Sequence, residues 1–168
     1  MTNAAGAACL SLAVLLAACP VGAPAKGIDV GLSPAAQLVR PFEPMMLGQR
    51  YVDAHSGTEL MVGSGNSMSP LYKDHTVIIA RHLQERALRA GMTAVFLGDS
   101  GRPVAHVPIR RSLDGWVAHG VNNAEPNEVR VTSDNLIGVV VAAYQPVESP
   151  LMALAREAAP GAGLASIN

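Results

Sequence analysis

Ser67 is the residue of this chain whose surroundings best suit nucleophilic chemistry. It lies in the stretch Gly63–Leu71, in which Gly63 and Gly65 permit tight backbone turns and the close approach of a second chain. Pro70 pushes the residue before it toward an extended conformation, which fixes the direction of the chain just after Ser67. A cluster of glycine and serine is also typical of an ordinary loop between two strands. The stretch alone therefore leaves both interpretations open.

A serine hydroxyl is a weak nucleophile and needs a base within hydrogen-bond distance to accept its proton. The chain contains two lysines, Lys26 and Lys73, and Pro70 occupies the position three residues before Lys73, so no Ser-x-x-Lys pair exists. Arginine cannot be the base because guanidinium does not lose its proton. Histidine titrates near neutral pH and is therefore the predicted type of base.

The segment Gly65–Pro70, which reads Gly-Asn-Ser-Met-Ser-Pro, resembles the nucleophile region of the LexA-type and signal-peptidase-type serine peptidases, whose pattern is Gly-x-Ser-Met-x-Pro. In that family a Gly-Asp turn and an apolar strand follow, and Lys73-Asp74 and Thr76–Ala80 occupy these places here. The chain departs from the pattern at Lys73, where the family has glycine, and at Leu71, where it has threonine. Within residues 60–144, further segments resemble the family in the same order: Leu88–Phe96, Val104–Val107, Gly115–Asn123 and Asn135–Val140.

This resemblance implies an all-β fold, built as a partly open barrel of short strands with short helical connectors and a short C-terminal helix. It also implies a serine endopeptidase that cleaves peptide bonds with Ser67 as the nucleophile. His106 falls at the position of the family's general base, which is lysine in much of the family and histidine in the endoplasmic-reticulum and archaeal branch of the signal peptidases. His119 is the second candidate for the base.

The members that use histidine also carry an acid in a Gly-Asp-Asn-Asn turn, and this chain has Val121 in the place of that acid. Asp134, which precedes the last strand, is the predicted group that orients the imidazole, and Asp114 is an alternative. A dyad without an acid is the remaining interpretation. The backbone N–H groups of Ser67 and Gly65 are the predicted donors to the oxyanion.

Composition disfavours several other classes of function. A formal net charge of -1 provides no basic surface for nucleic acid. Both cysteines, Cys9 and Cys19, precede the expected domain, which therefore has no disulfide or cysteine-based metal site. No metal or cofactor is predicted, and the expected partner is a peptide or protein substrate. A length of 168 residues suits one domain.

The first 25 residues are expected to be an export signal. Ala7–Ala18 is an uncharged apolar run with the length of a signal-peptide core, shorter than a membrane-spanning helix. Leu16–Cys19 resembles the bacterial lipobox, which predicts a lipidated Cys19 and a membrane-anchored lipoprotein, whereas cleavage after Ala25 predicts a free periplasmic protein. Met1–Gly6 contains no lysine or arginine, which argues against both routes. The alternative is an alanine-rich helix retained on the protein.

Turn residues and short apolar runs predict one β-rich domain with flanking segments. The predicted parts are the export signal at 1–25, a tether at 26–50, a peptidase-like β domain at 51–146, and a C-terminal helix and tail at 147–168. Ser33–Val39 and His82–Ala90 are predicted to be short helices, as is Leu151–Ala158 at the C-terminal end. Tyr51–His55 and Thr58–Val62 are predicted to form a hairpin. The other predicted strands are Thr76–Arg81, Thr93–Leu97, Pro103–Arg110, Gly115–His119, Leu136–Tyr144 and, more weakly, Val129–Thr132.

Two functions from different classes are consistent with these features. The first is an exported serine endopeptidase. The second is a lipoprotein of the cell envelope that keeps the fold but acts as a binding module, which the missing acid and the altered turn favour. A self-cleaving repressor is disfavoured because the segment from Lys26 to Leu60 contains no Ala-Gly bond of the kind such proteins cut.

Overall fold

A computed structural model describes residues 27–148. The expected export signal, with Cys19 and the alternative cleavage site at Ala25, lies outside the described residues, and so does the predicted helix Leu151–Ala158. None of the helices in the described part of the chain is both long and apolar enough to cross a membrane.

The described residues form a mostly β structure with one α-helix, which confirms the predicted fold class. Most strands are short and lie close to the predicted positions, because their β-branched and aromatic residues favour extended backbone. The elements are β1 Gln37–Val39, α1 Glu43–Ala54, β2 Thr58–Val62, β3 Val77–Arg81, a 3-10 turn at Glu85–Ala87, β4 Ala94–Leu97, β5 Pro103–Ser112, β6 Gly115–His119 and β7 Leu136–Pro146.

The strands form a single seven-stranded sheet that is not closed into a barrel. Its order is β2-β3-β7-β4-β5-β6, with antiparallel pairing between neighbours, and β1 pairs in parallel with the end of β7. β7 pairs with β3 and β4 and is the longest strand, at 11 residues. The Ser67 loop connects β2 to β3, and His106 lies on β5.

Two local predictions at the start of the domain are wrong. The predicted helix Ser33–Val39 is absent, and Gln37–Val39 form β1 instead, because the end of β7 offers backbone groups with which this segment pairs. In the predicted strand Tyr51–His55, residues 51–54 instead form the end of α1, which crosses the expected boundary at residue 50. Pro44 suits the first turn of that helix.

The helix α1 packs on the sheet through its apolar side chains. Leu47 and Tyr51 lie one helical turn apart and contact the buried cluster formed by Val77 and Ile79 of β3 with Tyr144 of β7. A Cβ atom at Gly48 would lie 2.7 Å from Leu60 Cδ1 and 2.9 Å from Val77 Cγ1, so a larger residue here would require these side chains to shift. At the end of α1, the helical spacing of the apolar side chains therefore decides the conformation, although the same residue types also suit a short strand.

Two further predictions are confirmed only in part. The connector predicted as a helix over His82–Ala90 contains a single 3-10 turn at Glu85–Ala87. The weak strand predicted over Val129–Thr132 is reduced to one bridge between Val131 and Trp116. Both segments lie in connections between strands, where tertiary contacts rather than local propensity determine the backbone.

Candidate active site

Ser67 lies on a turn between β2 and β3 whose backbone is held by internal hydrogen bonds. Gly65 adopts a φ of +87°, a left-handed conformation that favours glycine, and its N–H donates to Asp74 Oδ1 at 3.0 Å. Farther along the turn, Tyr72 N–H donates to the carbonyl oxygen of Met68 at 3.0 Å. The Met68 side chain is buried in the core. Its burial anchors the turn and leaves Ser67 partly exposed.

The buried phenol of Tyr72 ties this turn to the N-terminal arm. Its hydroxyl donates to the carbonyl oxygen of Pro34 at 2.8 Å. Burial raises the pKa of Tyr72 to about 12, and a hydrogen bond with Thr93 opposes the shift. The phenol is therefore neutral and remains a hydrogen-bond donor throughout the physiological pH range. The arm that was predicted as a tether thus contributes directly to the base of the serine loop.

A cavity of about 120 Å³ opens beside Ser67. Residues of β2, the serine loop, β3, β4 and the start of β5 line it, and most are small or apolar. The lining consists of Met61, Val62, Gly63, Ser64, Gly65, Ser67, Met68, Tyr72, Lys73, Thr76, Ile78, Val95, Pro103, Val104 and Ala105. This volume suits a small or medium apolar side chain more than a large cofactor.

His106 is buried on β5, with 5% of its surface exposed. Its Nδ1 lies 2.5 Å from Oδ1 of Asn127, and its ring makes an edge contact with Phe96 at a centroid distance of 6.4 Å. An amide oxygen can only accept a hydrogen bond, so the proton of this bond belongs to Nδ1. Nε2 of the neutral ring then carries the free lone pair. This tautomer is the one that a general base acting through Nε2 requires.

The surroundings of His106 favour its neutral form. Burial lowers the pKa of His106 below its ordinary value of 6.5, the Asn127 hydrogen bond opposes this, and the nearby His119 adds a further lowering. Because the unprotonated ring is favoured, His106 is available to accept a proton at neutral pH.

The turn after β6 contacts both His106 and the serine loop. A Cβ atom at Gly120 would lie 2.9 Å from His106 Nε2, so Nε2 faces this glycine. Two residues later, Asn122 N–H donates to the carbonyl oxygen of Ser67 at 2.8 Å. One turn therefore brings the nucleophile candidate and the base candidate into the same part of the molecule. The hydrogen bonds of residues 27–148 include none between the Ser67 hydroxyl and His106, and His106 is not among the described residues that line the cavity.

The other candidates for the catalytic machinery occupy separate places. His119 is buried, and its Nδ1–H donates to the carbonyl oxygen of Gly120 at 2.7 Å. Asp134 is exposed and accepts a hydrogen bond from Ser133 at 3.3 Å. Among the described residues, no hydrogen bond or ion pair joins Asp134 to His106.

The alternative acid, Asp114, lies at the turn between β5 and β6. It accepts a hydrogen bond from Ser112 Oγ at 2.5 Å and forms an ion pair with Arg130 at 3.6 Å. The Ser112 hydrogen bond is the main cause that lowers the pKa of Asp114. The carboxylate of Asp114 therefore already has partners in Ser112 and Arg130.

Asn127 is the contact of His106 that the sequence did not reveal. It lies 21 residues after His106, in a segment without a recognisable motif. Its N–H donates to the carbonyl oxygen of Ala118 at 2.8 Å, and its own carbonyl oxygen accepts a hydrogen bond from Arg130 at 2.9 Å. These backbone bonds hold the amide side chain in position against the imidazole.

Of the two N–H groups predicted to bind an oxyanion, only that of Ser67 is without an acceptor among the described residues. The N–H of Gly65 donates to Asp74 and is not available in this arrangement.

Within residues 27–148, no group of three or more histidine, cysteine, aspartate or glutamate side chains could hold a metal ion. The chain matches no model of a known protein family and no curated protein.

Proposed function

We propose that this protein is a serine endopeptidase in which Ser67 is the nucleophile and His106 is the general base. The observation that carries this proposal is the turn after β6, whose Gly120 faces His106 Nε2 and whose Asn122 binds the backbone of Ser67. The resemblance of Gly65–Pro70 to the nucleophile region of the LexA-type and signal-peptidase-type peptidases supports the same roles.

In the proposed reaction, Ser67 Oγ attacks the carbonyl carbon of the scissile peptide bond while its proton passes to Nε2 of His106. The carbonyl oxygen becomes an oxyanion, to which the N–H of Ser67 donates. When the tetrahedral intermediate collapses, the carbon–nitrogen bond breaks and the proton on Nε2 passes to the leaving amine. Water then hydrolyses the acyl-enzyme with the same base. The Ser67–His106 hydrogen bond forms on substrate binding, as catalytic hydrogen bonds often tighten at that stage.

Asn127 is the proposed positioning residue of this site, in place of the acid expected at Asp134. Its amide oxygen keeps the proton of His106 on Nδ1 and orients the ring. An amide carries no full charge, so it stabilises the imidazolium less than a carboxylate does. The site would therefore operate as a Ser-His pair with a neutral third group.

The substrate is proposed to be a peptide in an extended conformation. β2 is the terminal strand of the sheet, and its residues Met61 and Val62 line the cavity that contains Ser67. A terminal strand presents unpaired backbone groups, to which an extended peptide can add as a further strand. This placement would direct one substrate side chain into the cavity.

Covalent labelling by a fluorophosphonate probe tests the enzyme directly, without knowledge of the substrate. The wild-type protein is expected to be labelled, whereas Ser67→Ala and His106→Ala are expected to lose labelling. Ser69→Ala is the matched control, because Ser69 lies on the same turn and is expected to leave labelling intact. Absence of labelling in the wild type, or full labelling of Ser67→Ala, would falsify the proposal.

A binding module without catalysis is the second candidate function. It is favoured by the lack of a hydrogen bond between the Ser67 hydroxyl and His106 within residues 27–148. Under this proposal the cavity and the edge of β2 bind a peptide without cleaving it. Peptide binding by a wild-type protein that neither cleaves peptides nor reacts with the probe would select this function.

We further propose that the protein is exported and anchored through a lipid on Cys19. The lipobox-like Leu16–Cys19 supports this location. Mass spectrometry of the membrane fraction should detect a lipidated N-terminal cysteine. A soluble product that begins at Lys26 would indicate cleavage after Ala25, and an intact Met1 terminus in the cytoplasm would contradict export.

A further inference from the structure

Lys73 is the only charged residue among the described residues that line the cavity beside Ser67. The other lining residues are apolar side chains, glycines, hydroxyl residues and Tyr72, and none carries a carboxylate. The resemblance to known peptidases does not account for this lysine, since their pattern has a glycine at this position. Lys73 is exposed, so its charge is accessible to a ligand.

The backbone of Lys73 is held firmly, while its ammonium group is free to bind a ligand. The carbonyl oxygen of Lys73 accepts hydrogen bonds from both the N–H and the hydroxyl of Thr76, at 3.2 Å and 2.7 Å. Among the described residues, no ion pair includes Lys73. The adjacent Asp74 carboxylate accepts from Gly65 N–H and lies 3.3 Å from His75 Nε2, so its oxygens are already engaged.

We propose that Lys73 binds a carboxylate of the peptide that occupies this cavity. The site would then select peptides in which an acidic group lies next to the apolar side chain that enters the cavity. This inference rests on the proposed binding of peptides at the Ser67 site. The carboxylate belongs either to an aspartate or glutamate side chain or to the C-terminus of the peptide, because both present the same anionic oxygens to an ammonium group.

The test measures peptide affinity in the Ser67→Ala variant, so that catalysis is not required. The probes are fluorescein-labelled hexapeptides with a central valine or leucine, in which one flanking position at a time is Asp, Asn, Glu or Gln. Each peptide is prepared with an amidated and with a free C-terminus, and binding is followed by fluorescence anisotropy. Lys73→Met removes the charge but keeps an unbranched side chain, and Arg50→Met is the control that removes one positive charge from the exposed surface of α1.

At low salt, acidic peptides are expected to bind about 2- to 5-fold more tightly than their amide counterparts at one flanking position, which is the range for an exposed ion pair. The preference should disappear at high salt and in Lys73→Met, and it should persist in Arg50→Met. If peptides with a free C-terminus bind more tightly than their amidated forms whatever the flanking residue, and Lys73→Met removes this difference, the bound carboxylate is the terminal one. The inference would be overturned if acidic and amide peptides bind equally and free and amidated termini also bind equally, if the preference is unchanged by Lys73→Met, or if no peptide binds.

These outcomes separate the inference from the proposed enzyme. Labelling of wild-type Ser67 together with no preference for acidic peptides would overturn only the role of Lys73. A preference for acidic peptides that depends on Lys73, in a protein whose Ser67 is not labelled, would support the inference and contradict the peptidase.

Discussion

Replacing Asn127 by aspartate should raise the pKa of His106. The change puts a negative charge where the amide oxygen now lies 2.5 Å from Nδ1. With the two charge centres roughly 4 Å apart, an effective dielectric constant of about 20 gives an attraction of about 4 kcal/mol. This energy corresponds to about 3 pKa units, and the cost of partly burying the carboxylate reduces the effect. The expected increase is therefore about 1 to 3 units.

The direction of the change follows from the state of the wild-type ring. In the wild type, burial holds the pKa of His106 below 6.5, so the ring remains neutral at neutral pH and becomes charged only in acid. The unfolded chain binds this proton more readily, so His106 makes the folded state less stable as the pH falls from about 6.5 through the lowered pKa. In Asn127→Asp the ring should be protonated at higher pH, and the acid limb of activity should move upward. Asn127→Leu, which removes the hydrogen bond, should lower the pKa further.

Nuclear magnetic resonance measures this pKa without any substrate. The chain contains five histidines, so five imidazole Cε1–H signals can be followed against pH, and His106→Gln identifies the signal of His106. Asn122→Asp is the matched control, because it adds the same charge on the neighbouring turn at an exposed position, where water screens it. A His106 pKa that is unchanged in Asn127→Asp, or that moves equally in Asn122→Asp, would refute the assigned contact.

Two further substitutions test the packing of the site. Gly120→Ala would place a methyl group 2.8 Å from the Asn123 side chain and 2.9 Å from His106 Nε2. We expect labelling of Ser67 to fall about 10- to 100-fold, with about 1 to 3 kcal/mol lost from the free energy of unfolding. Unchanged labelling would contradict the position of the ring. Tyr72→Phe removes the donor to Pro34 and should cost about 1 to 3 kcal/mol in chemical denaturation. Tyr51→Phe is its control, since the hydroxyl of Tyr51 makes no hydrogen bond within residues 27–148, and equal losses in both variants would argue against the role of the arm.

Local sequence was sufficient to locate most of the strands. β2 and β6 occupy the predicted residues, and β3, β4, β5 and β7 differ only at their ends. These segments combine β-branched residues with turn residues at their borders, so their local preference and their place in the sheet agree. The β-rich fold class could therefore be predicted without a structure.

The segments before β2 show where local reasoning failed. Tyr51–His55 has the residue types of a short strand, yet Leu47, Gly48 and Tyr51 together form a helical face that packs on β3. Gln37–Val39 pairs with the end of β7, which lies more than 100 residues later in the chain. A pattern over a few residues contains no information about such a distant partner, and the partner decides which conformation is stable.

The sequence by itself singled out Ser67 through the resemblance of Gly65–Pro70 to a known nucleophile region, while the glycines and Pro70 act only on the local backbone. It also singled out His106 through a resemblance that extends along the chain. Only the tertiary structure decided that Asn127 binds the imidazole and that Gly120 and Asn122 contact His106 and Ser67, respectively. Hydrogen bonds between side chains depend on the distance and direction of the two groups in space. Here β5 pairs with β6, and the N–H of Asn127 donates to the carbonyl oxygen of Ala118 on β6, which brings Asn127 next to His106.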